Sequence, residues 1–166
     1  MRSSAASDVY KRQMPIRGSR IIAGENIVLT APFMPKVVNV DQFHCGPIYG
    51  PTGANPLNIV NNGVCVNRQG KRFIDEGKTY VQMSREVAAN TPDNWAFMVC
   101  DQTAHDIPIL KNDWASYART KAPVYTGNTL EEAAKAAGID PKALKETIED
   151  YNEAIEDGEA MKMSPV

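Results

Sequence analysis

Residues 61–77 read NNGVCVNRQGKRFIDEG. The apolar run at residues 64–66 is followed by a polar turn at residues 67–70, and apolar residues resume at Phe73 and Ile74. Two short apolar runs joined by a turn that contains asparagine and glycine are typical of a β-hairpin. We therefore predict a hairpin here, within an α+β fold in which helices pack on a small mixed sheet.

Two more strands are expected on either side of this hairpin. The stretch KVVNVDQFH, residues 36–44, is rich in β-branched and aromatic residues and predicts a strand. Residues 45–56 contain three glycines and three prolines, which predicts a long loop and makes a functional role worth testing. The apolar run WAFMVC, residues 95–100, has the length and composition of a buried strand.

Helices are predicted after the hairpin and near the end of the chain. Tyr80, Met83 and Val87 have helical spacing, which indicates a short helix that ends near residues 90–92. A Thr-x-x-Glu capping box at Thr129 begins another helix, which Gly138 would end. The dipeptide Asp140-Pro141 predicts the start of a third helix. Its apolar face is expected to contain Leu144, Ile148, Tyr151 and Ile155.

The composition argues against several classes of partner. The chain has 166 residues and a formal net charge of −2, which does not favour nucleic acid or an anionic membrane surface as a partner. No apolar run approaches the roughly 20 residues that span a bilayer. The three cysteines are odd in number and form no Cys-x-x-Cys pair, so we expect reduced, packed thiols. Reduced cysteines favour a cytoplasmic location, but the sequence leaves the location unassigned.

The first residues differ in character from the rest. Residues 3–13 read SSAASDVYKRQ, which resembles a sequencing-library adapter translated in frame. A disordered native tail is the alternative interpretation of the same small, polar and charged residues. We expect residues 1–13 to be non-native and residues 14–35 to be the remnant of a preceding segment.

The residues that could carry chemistry are few. The two histidines, His44 and His105, have no metal-ligand spacing around them, and His105 is expected to be an ordinary surface histidine. The glycines of residues 45–56 lack the lysine and hydroxyl residue of a phosphate loop and do not follow the order of a dinucleotide fingerprint. What remains is His44 beside a Gly/Pro loop and an Arg/Glu/Tyr cluster after the hairpin, which suit binding and proton transfer.

The order of these segments resembles a known family. It comprises DQFH at residues 41–44, the Gly/Pro loop, GVCVNRQGKRFIDE at residues 63–76, a strand that ends at Asp101, and the terminal helix pair. This order is similar to the substrate-capping region of the FAD-dependent oxidoreductases related to fumarate reductase, the succinate dehydrogenase flavoprotein and the 3-ketosteroid dehydrogenases. The resemblance implies that residues 36–158 form a capping domain and residues 159–166 a truncated tail. It also implies that the flanking FAD-binding domain, the partner of such a cap, is missing.

The resemblance implies roles for four residues. His44 matches a histidine that binds a substrate carboxylate in fumarate reductases, and Arg72 and Glu76 are candidate substrate-binding residues within the N-x-x-G-K-R-F-x-[DN]-E pattern. Tyr80 stands where those reductases have a proton-donating arginine, and it is similar to the proton-transferring tyrosine of ketosteroid dehydrogenases. Lys78 is the candidate source of a helpful positive charge. Residues 54–60 lack the carboxylate and arginine that the fumarate reductases have there.

Each assignment has a structural alternative. His44 could be a hydrogen-bonded histidine at a strand end, and Tyr80 could be a core residue of its helix. Arg72 and Glu76 could join the hairpin to that helix through an ion pair.

The function that the resemblance implies is hydride transfer between FAD and a substrate carbon next to a carbonyl or carboxylate. The substrate would be a small molecule, handled as in fumarate reductases or ketosteroid dehydrogenases. The alternative is a non-catalytic binding or packing module with no activity on its own. A flavin absorbance spectrum of the purified chain separates the two.

Overall fold

The computed structural model describes residues 21, 25–38, 44–159, 162, 163 and 165. Within them lie six α-helices: α1, Glu25–Thr30; α2, Tyr80–Asn90; α3, Gln102–His105; α4, Lys111–Arg119; α5, Leu130–Ala137; and α6, Pro141–Glu156. Short 3₁₀ helices occupy Ala31–Phe33, Leu57–Asn61 and Pro108–Leu110. The strands β1, Val64–Val66, and β2, Phe97–Val99, complete a mixed arrangement of helices and a small sheet. None of the helices described is both long and apolar enough to cross a bilayer.

The sheet differs from the predicted one. Strand β1 pairs antiparallel with β2, with Val64 opposite Val99 and Val66 opposite Phe97, so the two-stranded sheet is antiparallel rather than mixed. The predicted hairpin is reduced to a single bridge between Val66 and Arg72. The hairpin prediction was therefore wrong about the main partner of β1, which comes from more distant sequence. Strand β2 is half-buried rather than fully buried.

The polar turn at residues 67–70 is present, and it serves a packing role. The Asn67 side-chain oxygen accepts hydrogen bonds from the backbone N–H groups of Gln69 and Lys71, at 3.0 Å each. Gly70 has φ of +71°, and a Cβ there would lie 2.7 Å from the backbone nitrogen of Leu144. The buried Thr147 hydroxyl donates to the Gly70 carbonyl oxygen at 2.7 Å. The turn is thus held closely against the start of α6.

Strand β1 is buried on both of its faces. Val64 and Val66 face a core group that includes Leu144 of α6 and Ala134 of α5. Cys65 points the other way, because side chains alternate along a strand, and packs in a second group with Met83 of α2. The sheet therefore lies between the α5–α6 pair on one side and α2 on the other.

The helix boundaries follow their caps. Helix α2 begins after Thr79 in a capping box with Gln82, a cap that the sequence prediction missed. The Thr129 hydroxyl caps α5, but the Glu132 carboxylate accepts from the N–H of Asn128 at 2.8 Å, so the predicted capping box is incomplete.

Helix α5 ends where the sequence predicts, and helix α6 begins where the sequence predicts. Gly138 ends α5 with φ of +71°, and Asp140 caps α6 with Pro141 in its first turn. Leu144 is buried, while Ile148 and Tyr151 pack against the core. The predicted apolar face ends there, because Ile155 is 50% exposed.

Two predicted segments precede the sheet. Most of the predicted strand at residues 36–44 lies outside the described residues, and the described part, residues 36–38 and His44, has no strand structure. The predicted loop at residues 45–56 is confirmed as a region without helix or extended strand. It contains a tight turn that a bridge between Tyr49 and Ala54 closes.

Candidate active site

His44 and Tyr80 form the centre of the candidate site. The Tyr80 hydroxyl lies 2.8 Å from Nε2 of His44, and the tautomer of the histidine decides which of the two donates. Their rings meet edge to face with centroids 5.6 Å apart. Both residues are exposed, and Tyr80 retains 47% of its surface. The structure thus brings together two residues that are 36 positions apart and that the sequence singled out separately.

The start of helix α2 positions Tyr80. Thr79 caps the helix, so Tyr80 is its first residue, and the Ser84 hydroxyl donates to the Tyr80 carbonyl oxygen at 2.9 Å. Gly46 lies against the tyrosine ring, where a Cβ would be 3.2 Å from Cε2. The ring is therefore confined on one side by the backbone of the Gly/Pro loop.

Cys45 attaches the His44 segment to the same helix. Its thiol donates to the carbonyl oxygen of Val81 at 3.6 Å. Burial raises the pKa of the Cys45 thiol, and the positive charge of the nearby Arg85 opposes that increase. Arg85 was not predicted as a site residue, since nothing in its spacing shows that the loop folds back onto α2 at this point.

Arg72 and Glu76 form a buried ion pair. Nη2 of Arg72 lies 2.7 Å from the Glu76 carboxylate, and their side chains are only 6% and 8% exposed. The same carboxylate accepts from the backbone N–H of Cys65 at 2.7 Å. Arg72 also donates to the carbonyl oxygen of Pro165 and lies over the ring of Tyr151. This geometry joins β1 to the segment that leads into α2.

Asn61 completes the support of that segment. Its side-chain amide donates to the backbone oxygens of Glu76 at 2.7 Å and of Lys78 at 3.4 Å. The sequence prediction missed this contact, because an asparagine at the end of a 3₁₀ helix carries no signal of where its amide points. Lys78 itself is exposed, and its role beside Tyr80 stays a prediction.

Cys65 is expected to be the least reactive of the three thiols. Burial raises its pKa to about 12, with the neighbouring Glu76 charge acting in the same direction. Since the thiolate is the reactive form, alkylation by iodoacetamide at pH 8 should modify Cys65 at least about tenfold more slowly than the half-buried Cys45. Peptide mapping by mass spectrometry measures the three rates, and denaturant should equalise them. Native labelling of Cys65 as fast as Cys45 would contradict the burial described here.

The described residues do not form a cradle for the diphosphate of FAD. Such a cradle requires a strand, a glycine-rich loop and the N-terminus of a helix in that order. The glycines of residues 45–56 are followed instead by the 3₁₀ helix Leu57–Asn61. In the part of the chain that the structure describes, the site offers groups for binding and proton transfer but no dinucleotide fold.

Comparisons with known proteins agree on one family. Residues 43–165 match the model of the FAD binding domain family. The chain is 32% identical over 98 residues to the fumarate reductase (cytochrome) of Shewanella frigidimarina. The aligned part makes up 59% of this chain and 16% of that protein. It is 29% identical over 146 residues to the NADH:acrylate oxidoreductase of Vibrio harveyi. Here the aligned part makes up 85% of this chain and 14% of that protein.

A solved structure has a similar fold. The open conformation of a flavocytochrome c3 fumarate reductase matches 94% of this chain and 28% of its own, with a TM-score of 0.67 and 20% identity. The chain thus spans less than a third of each of these three proteins.

Proposed function

Since the chain belongs to the FAD binding domain family, we propose that it forms the substrate-capping part of an FAD-dependent oxidoreductase. The family predicted from the sequence is confirmed, and FAD is its cofactor. FAD supplies the redox chemistry, a hydride exchanged with a substrate carbon next to a carbonyl or carboxylate. The residues of this chain bind and orient the substrate and move the accompanying proton. Their partner is the dinucleotide-binding part of the enzyme.

The His44–Tyr80 pair is the observation that carries this proposal. A hydroxyl 2.8 Å from an imidazole nitrogen can pass a proton to a substrate and recover one from the ring. Tyr80 is the group that exchanges the proton with the substrate carbon. His44 holds the substrate oxygen or returns the proton to Tyr80.

The names of two relatives support the substrate class that we propose. One relative is named for fumarate and the other for acrylate, and both molecules have a carbon–carbon double bond conjugated to a carboxylate. Reduction of such a bond places a hydride on one carbon and a proton on its neighbour. A conjugated ketone, as in the substrates of ketosteroid dehydrogenases, meets the same requirement and is the alternative.

We assign Arg72 and Glu76 a positioning role. Their burial and mutual contact leave little surface for a substrate, and the hydrogen bond from the Cys65 N–H to Glu76 fixes the segment ahead of Tyr80. Direct binding of substrate by either residue, which the resemblance suggested, would require the pair to open.

Nuclear magnetic resonance of the histidine rings tests the proposal on the chain itself. The chain has only two histidines, so His105, in contact with Asp106, is an internal control for His44. Titration with fumarate or acrylate should shift the His44 ring signals saturably and leave those of His105 in place. Tyr80→Phe removes the hydroxyl and should weaken binding about fivefold to tenfold, as expected for a lost hydrogen bond.

Two further ligands sharpen the result. Acetate tests whether charge alone moves the signal, and 2-cyclohexenone tests the conjugated ketone. Equal shifts of His44 and His105 with every ligand would contradict a substrate site at this pair.

A further inference from the structure

Gly46 contacts the candidate site at the ring of Tyr80. His44, the partner of that tyrosine, is two positions earlier in the chain. A Cβ at Gly46 would lie 3.2 Å from Cε2 and 3.3 Å from Cδ2 of the Tyr80 ring. Two carbon atoms at their best van der Waals separation are about 3.5–4.0 Å apart, so this contact is tighter than an ordinary one. Any side chain at this position would therefore press on the Tyr80 ring.

The backbone at Gly46 does not require a glycine. Its φ lies outside the left-handed region, and it is followed by Pro47, which favours an extended conformation that any residue adopts. Gly53, in the same loop, is the opposite case: its φ is +69°, and nothing lies within 4 Å of the position of its Cβ. Backbone conformation therefore explains Gly53, whereas contact with Tyr80 explains Gly46.

The loop is attached to helix α2 beside this contact. The Cys45 thiol donates to the carbonyl oxygen of Val81 at 3.6 Å, so a loop that moved away from the helix would lose this hydrogen bond. The Tyr80 ring is less constrained, because 47% of the residue is exposed and its side-chain bonds can rotate. A new side chain at Gly46 is therefore expected to displace the ring rather than the loop.

A small displacement of the ring is enough to affect the site. The Tyr80 hydroxyl lies 2.8 Å from Nε2 of His44, close to the best length for a hydrogen bond of this kind. Hydrogen bonds weaken steeply when the distance or the angle departs from its preferred value. Turning the ring away from Gly46 would move the hydroxyl as well and weaken its contact with His44.

We infer that Gly46 is a positioning residue for Tyr80, an inference that rests on the function proposed above. Its lack of a side chain leaves room for the ring in the orientation that places the hydroxyl beside Nε2 of His44. Gly46 has no group that could exchange a proton, so it acts on proton transfer through Tyr80.

Nuclear magnetic resonance of the His44 ring nitrogens tests this role without any ligand. Which ring nitrogen carries the proton depends on the hydrogen bond that the other one makes, so these signals report the contact between Nε2 and Tyr80. Tyr80→Phe removes the hydroxyl and gives the signals of the broken contact. Gly46→Val should move the His44 signals most of the way to those positions, and Gly46→Ala should move them part of the way. Valine suits the extended backbone that precedes a proline.

Gly53→Ala is the matched control. It makes the same change as Gly46→Ala in the same loop, but its Cβ enters open space. It should leave the His44 signals unchanged. His105, the other histidine of the chain, should keep its signals in every variant, which shows that its surroundings stay folded.

A double variant tests whether Gly46 acts through Tyr80. Adding Gly46→Val to Tyr80→Phe should cause little further change in the His44 signals, because the contact is already broken. A further change as large as the first would mean that residue 46 acts on His44 directly, and it would overturn the inference. Unchanged His44 signals in both Gly46→Ala and Gly46→Val would also overturn it. So would equal changes in Gly46→Ala and Gly53→Ala.

Titration with acrylate tests the effect on ligand binding. Gly46→Val should weaken binding about fivefold to tenfold, the same factor as Tyr80→Phe, as expected for a lost hydrogen bond. If acrylate moves no His44 signal in the original chain, the proposed function fails, and the signals without ligand still decide the role of Gly46. If acrylate binds the original chain and Gly46→Val equally, the positioning role is overturned and the proposed substrate site stands.

Discussion

Replacing Glu76 by alanine is expected to lower the free energy of unfolding by about 3–5 kcal/mol, the range for breaking a buried ion pair from one side. The substitution leaves the Arg72 guanidinium, 6% exposed, without its carboxylate and removes the acceptor of the Cys65 N–H. Folded domains are stable by only about 5–15 kcal/mol, so the loss is a large fraction of the total. Urea unfolding followed by circular dichroism measures it.

An exposed ion pair provides the control. Glu149 lies 3.9 Å from Lys145, with side chains 64% and 51% exposed, so Glu149→Ala should cost less than about 1 kcal/mol. Glu76→Gln keeps the shape and one acceptor, and its effect should fall between the two. If Glu76→Ala and Glu149→Ala lower the free energy of unfolding by similar amounts, the buried ion pair contributes no more to stability than the exposed pair does.

Gly70→Ala is expected to give the second large decrease in the free energy of unfolding. An alanine at φ of +71° costs about 1–2 kcal/mol for its left-handed conformation. The new Cβ would also lie 2.7 Å from the Leu144 backbone nitrogen, and overpacking of this kind adds about 1–3 kcal/mol. The total loss should therefore be about 2–5 kcal/mol, measured by urea unfolding.

Gly138 separates the two contributions. It has the same φ of +71°, but nothing lies within 4 Å of the position where its Cβ would be. Gly138→Ala should therefore show the conformational cost alone. Equal losses at Gly70 and Gly138 would mean that the turn can move away from α6 without cost.

The sequence predicted the local features of the fold well. Caps and breakers act within a few residues, so the start of α6 at Asp140-Pro141 and the end of α5 at Gly138 could be found from the printed sequence. The course of α2 from Tyr80 to Asn90 also followed from the spacing of its apolar residues.

The pairing of β1 could not be predicted in the same way. Hairpin patterns describe neighbours in sequence, whereas Val66 pairs with Phe97, 31 residues later. The choice between the two partners depends on packing: both faces of β1 are covered by helices, and a continuous apolar run such as VCV does not say which strand lies beside it.

The candidate site also combines features that the sequence predicts with a contact that only the fold shows. The sequence supplied His44 and Tyr80 as separate candidates, and only the fold shows that their polar atoms are 2.8 Å apart.

The position of β1 has a consequence for how the chain unfolds. Its three residues contribute to both core groups, Val64 and Val66 to one and Cys65 to the other. Separating β1 from β2 would expose both groups at once, so neither can open while the other stays intact. Helices α2, α5 and α6 therefore belong to one cooperative unit, and hydrogen exchange of their most protected amides should give a common free energy of opening.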